Sequence, residues 1–193
     1  KKQQERALLK ESEDINDCGN SKFKSKLYEE AIKYYSDAIK LNPKIAKYYV
    51  NRSGCYLAMR NFKNALQDAL EAIKIGHPSK YDGNVCAFEV FIAQGDIKEA
   101  QKYIKNIKAM GIENFSGLSK FKEFEQLKTK IENSKKQKKF DECLKYFDAA
   151  CKIDVSFKKY DLWTAECLVM TNKESESKLI ISKYPGDAFS FYL

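Results

Sequence analysis

The chain has 193 residues, 44% of them hydrophobic, with 35 Lys and Arg against 27 Asp and Glu for a net charge of +8. That is enough apolar material for a continuous core, yet no window reaches the roughly 18 uninterrupted apolar residues that a membrane-spanning helix requires. Lys1-Lys2-Gln3-Gln4 shows neither an initiator Met nor an apolar signal core, and Phe191-Tyr192-Leu193 ends within what reads as a new helix, so a fragment of a longer protein is expected.

Residues 1–11 read as a charged lead-in helix carrying Ala7, Leu8 and Leu9. A first helix pair follows over 12–45, with Ile15, Cys18, Gly19 and Phe23 on one helix and Tyr28, Ala31, Ile32, Tyr35, Ala38 and Ile39 on the next. Asn42-Pro43 ends it, because Pro cannot continue a helix and pushes its predecessor toward extended backbone. A second pair runs over 46–78, with Ser53 and Tyr56, then Phe62, Ala65, Ala69 and Ala72; Gly76-His77-Pro78 punctuates its end, Gly76 as C-cap. A third pair covers 81–114 with Gly95-Asp96 at its turn, and Phe88 stands where the first two pairs place Gly19 and Ser53. That ring must spread the helices or point elsewhere.

An insertion near 114–119 precedes an amphipathic stretch, Phe121, Phe124, Leu127 and Ile131, read as one long helix over 119–138 with Ser119 as its N-cap. Its partner is expected over 141–153. A fifth pair spans 158–184, and Pro185-Gly186 leads into the start of a sixth. The expected organisation is therefore 1–11 lead-in, 12–114 pairs one to three, and 115–193 the long helix with pairs four and five and the beginning of a sixth.

These segments are tied by a period. Ala31, Ala65, Ala100, Cys143 and Ser177 stand 34, 35, 43 and 34 residues apart. The first four close matching stretches, Tyr28-Glu29-Glu30, Phe62-Lys63-Asn64, Ile97-Lys98-Glu99 and Phe140-Asp141-Glu142, and Glu174-Ser175-Glu176 is a decayed fifth. A two-helix unit of about 34 residues is the mark of a tetratricopeptide repeat. Neither helix of such a unit buries its apolar stripe alone, so consecutive units stack. The expected fold is all-α, a right-handed superhelical solenoid of antiparallel helix pairs that meets partners on its concave face.

Little in the chain points to catalysis. It has no Gly-rich phosphate loop and no Ser/His/acid set, and the sole His, His77, reads as a cap or an exposed turn residue. The six cysteines, Cys18, Cys55, Cys86, Cys143, Cys151 and Cys167, form no CxxC pair and fall on helical core or groove positions. Zinc needs clustered ligands, so no metal and no cofactor are expected, and reduced thiols favour the cytoplasm. From Lys120 to Lys145 nine Lys face five acids, densest at Lys135-Lys136-Gln137-Lys138-Lys139. This run is either a solvated helical surface or an electrostatic footprint for an acidic partner. Trp163 reads as core or groove wall.

Asp17-Cys18-Gly19-Asn20, Tyr28-Glu29-Glu30-Ala31-Ile32-Lys33-Tyr34-Tyr35, Asn42-Pro43 and Tyr49-Val50-Asn51-Arg52-Ser53 resemble the first two repeats of chaperone-associated tetratricopeptide domains. Together with Ala165-Glu166-Cys167-Leu168 and the long helix, they make the chain most similar to the tetratricopeptide region of J-protein cochaperones (DnaJ or Hsp40 type). No His-Pro-Asp signature of a J domain occurs in it. The resemblance implies a non-catalytic protein-interaction scaffold that binds a heat-shock chaperone or an unfolded client, with no membrane partner.

Members that clamp an acidic chaperone tail use Lys and Asn in repeat one, Asn in repeat two, and Lys with Arg in repeat three. Asn20 and Asn51 match the amides, whereas the cationic positions fall on Asn16, Asp82 and Cys86. The resemblance thus implies an incomplete carboxylate clamp, with Lys24, Lys47 and Lys80 offering shifted positive charge. Asn20 and Asn51 either contact a peptide backbone or hydrogen-bond neighbouring helices. Phe23, Val50, Leu57, Val85 and Ile92 complete an apolar inner surface, which favours a segment with apolar anchors. Other readings are a targeting domain fused to another activity, such as a phosphatase, an RNA-binding helical repeat, and residence in the endoplasmic reticulum lumen. An RNA reader would repeat its base-reading residues, but Asn16, Val50 and Val85 follow no such rule.

Overall fold

The computed structural model describes residues 2–76, 80–94, 96–115, 117–153, 168–171, 173 and 175–176. The helices within these residues are α1 (Lys2–Lys24), α2 (Tyr28–Leu41), α3 (Ala46–Ala58), α4 (Phe62–Ile75), α5 (Lys80–Gln94), α6 (Ile97–Lys108), α7 (Leu118–Lys136) and α8 (Phe140–Ile153). They form two compact units. The first holds α1 to α4, α5 as far as Ile92, and α6; the second holds α7 and α8.

The sequence period reappears as a repeated turn. Leu27, Asn61, Asp96 and Lys139 each donate a backbone N–H to the carbonyl five residues earlier, on Lys22, Tyr56, Phe91 and Ser134, at 2.8–3.0 Å. These donors are 34, 35 and 43 residues apart, the steps already seen between Ala31, Ala65, Ala100 and Cys143. Such a six-to-one bond closes a helix over a left-handed residue. Lys26, Arg60 and Lys138 are that residue in three of the turns, with φ of 60°, 58° and 58°. Helices α2, α4, α6 and α8 then begin at Tyr28, Phe62, Ile97 and Phe140, the first residue of each matching stretch. Asn61 and Asp96 cap their helices by accepting from the N–H of Asn64 and Glu99.

The small residues that close the stretches, Ala31, Ala65, Ala100 and Cys143, are fully buried. One core cluster of the first unit is Ala31, Tyr35 and Cys55, with Tyr28 and Ile32 packed against it. Asn42 ends α2 at φ −141°, the extended backbone that the following Pro imposes, and Gly76 is the C-cap of α4 at φ +92°. Gly83 sets how closely α5 approaches α4: a Cβ there would lie 2.8 Å from Ile73 and 3.0 Å from the Ala69 carbonyl.

Several expectations are corrected. Residues 2–11 are not a separate lead-in, because α1 runs unbroken to Lys24. The expected long helix is present, over Leu118–Lys136, but its N-cap is Gly117 at φ 86°, with Ser119 inside the first turn. Phe88 is only 1% exposed and neither protrudes nor idles: its ring meets Phe115 edge-on at 5.1 Å. The segment after α6 thus covers the bulky ring at a position where the period calls for a small one. Cys18 is exposed, whereas Cys55 and Cys143 are buried and Cys86 is half-buried. In α7, Phe121 and Ile131 are buried as the periodicity predicts. Among the described residues no helix is long and apolar enough to cross a membrane. His77, Pro78, Gly95, the Phe124 and Cys151 side chains, Trp163, Ala165 to Cys167, Ser177, most of the fifth pair and the start of the sixth lie outside the described residues.

Candidate functional site

The site is built on α1, α3 and α5 of the first unit, and it begins with a missing side chain. A Cβ on Gly19 would lie 2.6 Å from Cε1 and 2.8 Å from Cδ1 of Tyr35. Its absence lets the Tyr35 ring pack against α1, buried, with its hydroxyl donating to Asn20 Oδ1 at 2.8 Å. Burial raises the Tyr35 hydroxyl pKa, with Cys55 and Asp17 adding to the shift, so the group stays a neutral donor.

Asn20 is the centre of an amide cluster. Asn51 on α3 donates from Nδ2 to Asn16 Oδ1 at 2.8 Å and to Asn20 Oδ1 at 3.2 Å. Asn20 Nδ2 in turn donates to Asp17 Oδ1 at 3.0 Å, and Asn16 Nδ2 donates to the same oxygen at 3.4 Å. Asn16 is 1% exposed, so its role is to hold Asn51. The amides thus bond to neighbouring helices, and Asn20 and Asn51 also line open space. A second tie between α1 and α3 joins Ser12 Oγ and the Tyr48 hydroxyl at 2.9 Å.

That space is a cavity of about 370 Å³ walled by Phe23, Tyr35, Val50, Gly54 and Cys86, with Asn20, Asn51 and Lys24 as its polar members. A Cβ on Gly54 would find only Phe23, at 3.8 Å, so the wall is open there. Burial, aided by Glu89 and Asp82, pushes the Cys86 thiol up to about 12 against an opposing hydrogen bond with Ser53. A thiol so raised is no nucleophile at neutral pH, and Cys86 serves as a small apolar wall residue.

Of the seven residues expected in the site, Asn16, Asn20 and Asn51 are brought together by hydrogen bonds, and Lys24 and Cys86 join Asn20 and Asn51 on the cavity. Lys47 and Asp82 are exposed in the first turns of α3 and α5 and do not line it. Of the apolar inner surface, Phe23 and Val50 line the cavity, while Leu57, Val85 and Ile92 are half-buried elsewhere. Sequence reasoning missed Tyr35, Gly54 and Asp17. The signal for Asp17 was its three-residue spacing from Asn20 on one helix, which makes neighbours of the two side chains.

Next to the cavity, α3 is locked to α4. Arg52 Nε and Nη2 donate to the two oxygens of Asp68 at 2.7 and 2.8 Å, and Nη1 donates to Ser36 Oγ at 2.9 Å. The guanidinium also lies 5.8 and 6.0 Å from the ring centres of Tyr49 and Tyr56. Hydrogen bonding to Asp68 raises the Arg52 pKa despite burial. This tie holds the helix that carries Val50, Asn51 and Gly54.

A helix-pair array of this register is a tetratricopeptide array, and residues 19–45 match the tetratricopeptide repeat family model. The chain is 25% identical over 179 residues to DnaJ homolog subfamily C member 7 of Homo sapiens, covering 90% of this chain and 35% of that protein. It is 49% identical over 67 residues to serine/threonine-protein phosphatase 5 of Homo sapiens, covering 35% of this chain and 13% of that protein. The chain thus spans about a third or less of the length of these curated relatives. Among solved structures, the P58(IPK) tetratricopeptide domain superimposes with a TM-score of 0.69 at 17% identity, over 94% of this chain and 53% of that one. The fold is accordingly an all-α tetratricopeptide-type solenoid of antiparallel helix pairs, of the kind found in co-chaperones, and it is a protein-interaction scaffold.

Proposed function

We propose that the first unit holds a segment of a heat-shock chaperone or of an unfolded client in the cavity between α1, α3 and α5, as part of a cytoplasmic co-chaperone of the DnaJ-associated type. The carrying observation is the cavity itself, apolar on the Phe23, Val50, Gly54 and Cys86 walls and amide-bearing at Asn20 and Asn51. Similarity to DnaJ homolog subfamily C member 7 across 90% of the chain supports the co-chaperone setting. The buried free thiols Cys55 and Cys143 suit a reducing compartment. Among the described residues Lys24 is the one cation on the cavity, and Asn16, Asp82 and Cys86 stand at the expected cationic positions. The carboxylate clamp is therefore incomplete, and apolar anchoring dominates.

Calorimetric titration with reduced, carboxymethylated α-lactalbumin as a non-native client tests this. Gly54→Leu fills the wall where only Phe23 stands nearby, so it should abolish client binding while leaving the melting temperature within a few degrees. A peptide ending in Glu-Glu-Val-Asp should bind more weakly than the client. Client binding untouched by Gly54→Leu would move the function elsewhere on the molecule. The 67-residue likeness to serine/threonine-protein phosphatase 5 favours a second reading, in which the array is the docking arm of a longer enzyme.

A further inference from the structure

Hydrogen-bond direction in the amide cluster is set by Asp17. A carboxylate only accepts, so the NH2 groups of Asn20 and Asn16 must turn toward it. Their oxygens then face Asn51, which answers with its own NH2, and both of its hydrogens are used. Asn51 Oδ1 is left with no donor among the described residues, on a side chain that lines the cavity. Beside it Asn20, whose oxygen is held by Tyr35 and Asn51, keeps one N–H hydrogen. The cavity therefore offers one acceptor and one donor side by side.

We infer that the cavity selects an internal peptide group of an extended, apolar chain over a terminal carboxylate, and that Asp17 is the positioning residue for this choice. The inference rests on the cavity-binding reading above. A peptide group brings an N–H for Asn51 Oδ1 and a carbonyl for Asn20 Nδ2. A carboxylate brings only acceptors, so one of its oxygens would face Asn51 Oδ1 and stay unpaired. The exposed Lys24 attracts either form weakly through water, and salt screens it.

The test is an NMR titration with two ligands that carry one group each on the same apolar stub, the carboxamide N-methylisovaleramide, which offers a single peptide group, and the free acid isovalerate, at about 0.15 M salt, where the Debye length is about 8 Å. The carboxamide should bind at least about tenfold more tightly, the worth of one unmet hydrogen bond. Asp17→Ala frees Asn16 and Asn20 to reverse and should bring the two ligands within about threefold. Glu13→Ala removes an equal charge from the same helix without touching the amides and should leave the ratio as it was. Equal or tighter binding of the free acid, or a ratio indifferent to Asp17→Ala, overturns the inference. If neither ligand binds, the cavity-binding reading fails, and Asn51 reports the polarity by itself. Slow exchange of both its side-chain NH2 protons upholds the orientation set by Asp17, and fast exchange overturns it.

Discussion

At one register position the first helix pair holds Gly19 and the second Ser53, and the two pairs close by different means. Gly19 admits the Tyr35 ring, whereas Ser53 donates from Oγ to the Ala65 carbonyl at 2.8 Å across α3 and α4. One step along the helix, Cys18 and Tyr34 of the first pair are exposed, and their counterparts Arg52 and Asp68 form a two-pronged ion pair. The positions of Asn20 and Tyr35 in the first pair hold Gly54 and Ala69 in the second. The first pair therefore supplies the amide and the ring that orients it, and the second supplies the space. A cavity exists because the two copies of one motif differ where they would otherwise have filled it.

This difference can be broken from either side. The largest effect is expected from Arg52→Ala, which strands Asp68 at 6% side-chain exposure and should lower stability by about 3–5 kcal/mol. The first pair's own ion pair, Lys22 with Glu30, is exposed, so Lys22→Ala should leave stability close to that of the wild type. Urea denaturation compares the two, and equal losses would show that the second pair does not depend on its ion pair. Gly19→Ala comes next, at about 2–3 kcal/mol, because the added Cβ drives into the buried Tyr35 ring and displaces its hydroxyl from Asn20. If it unfolded at the wild-type urea midpoint, α1 and α2 would not approach as closely as described. The smallest effect has the opposite sign. Lys26→Gly and Arg60→Gly relieve left-handed backbone at two equivalent turns, so each should raise stability by about 0.5–1 kcal/mol, read as a higher melting temperature.

Much of the fold was legible because it rests on spacing. The Tyr28, Phe62, Ile97 and Phe140 starts and the buried Ala31, Ala65, Ala100 and Cys143 follow from a period that burial enforces. The turns were half legible: Gly95 signalled one of them, but Lys26, Arg60 and Lys138 carry left-handed backbone without a glycine to announce it. Ser119 resembled a cap by residue type, and the chain capped at Gly117 instead, where a left-handed φ was available. Phe88 was recognised as a misfit, while its partner Phe115, 27 positions on, was not, since nothing local links them.

The site divides in the same way. Asn16, Asn20 and Asn51 were found by their register, and the structure joined them. Asp82 was placed by its match to a clamp position and Lys47 by its charge, yet both are exposed and outside the cavity lining.

By itself, then, the order of residues determined the helix pairs, their period and the small positions where helices meet, since these depend on which residues recur and how far apart. Only the folded arrangement decided which polar groups donate and which accept. The orientation of Asn51 is dictated by a carboxylate two bonds away through Asn20, and the Arg52–Asp68 lock depends on two helices meeting at one distance. Hydrogen-bond direction and ion pairing are properties of neighbours in space, and no spacing along the chain encodes them.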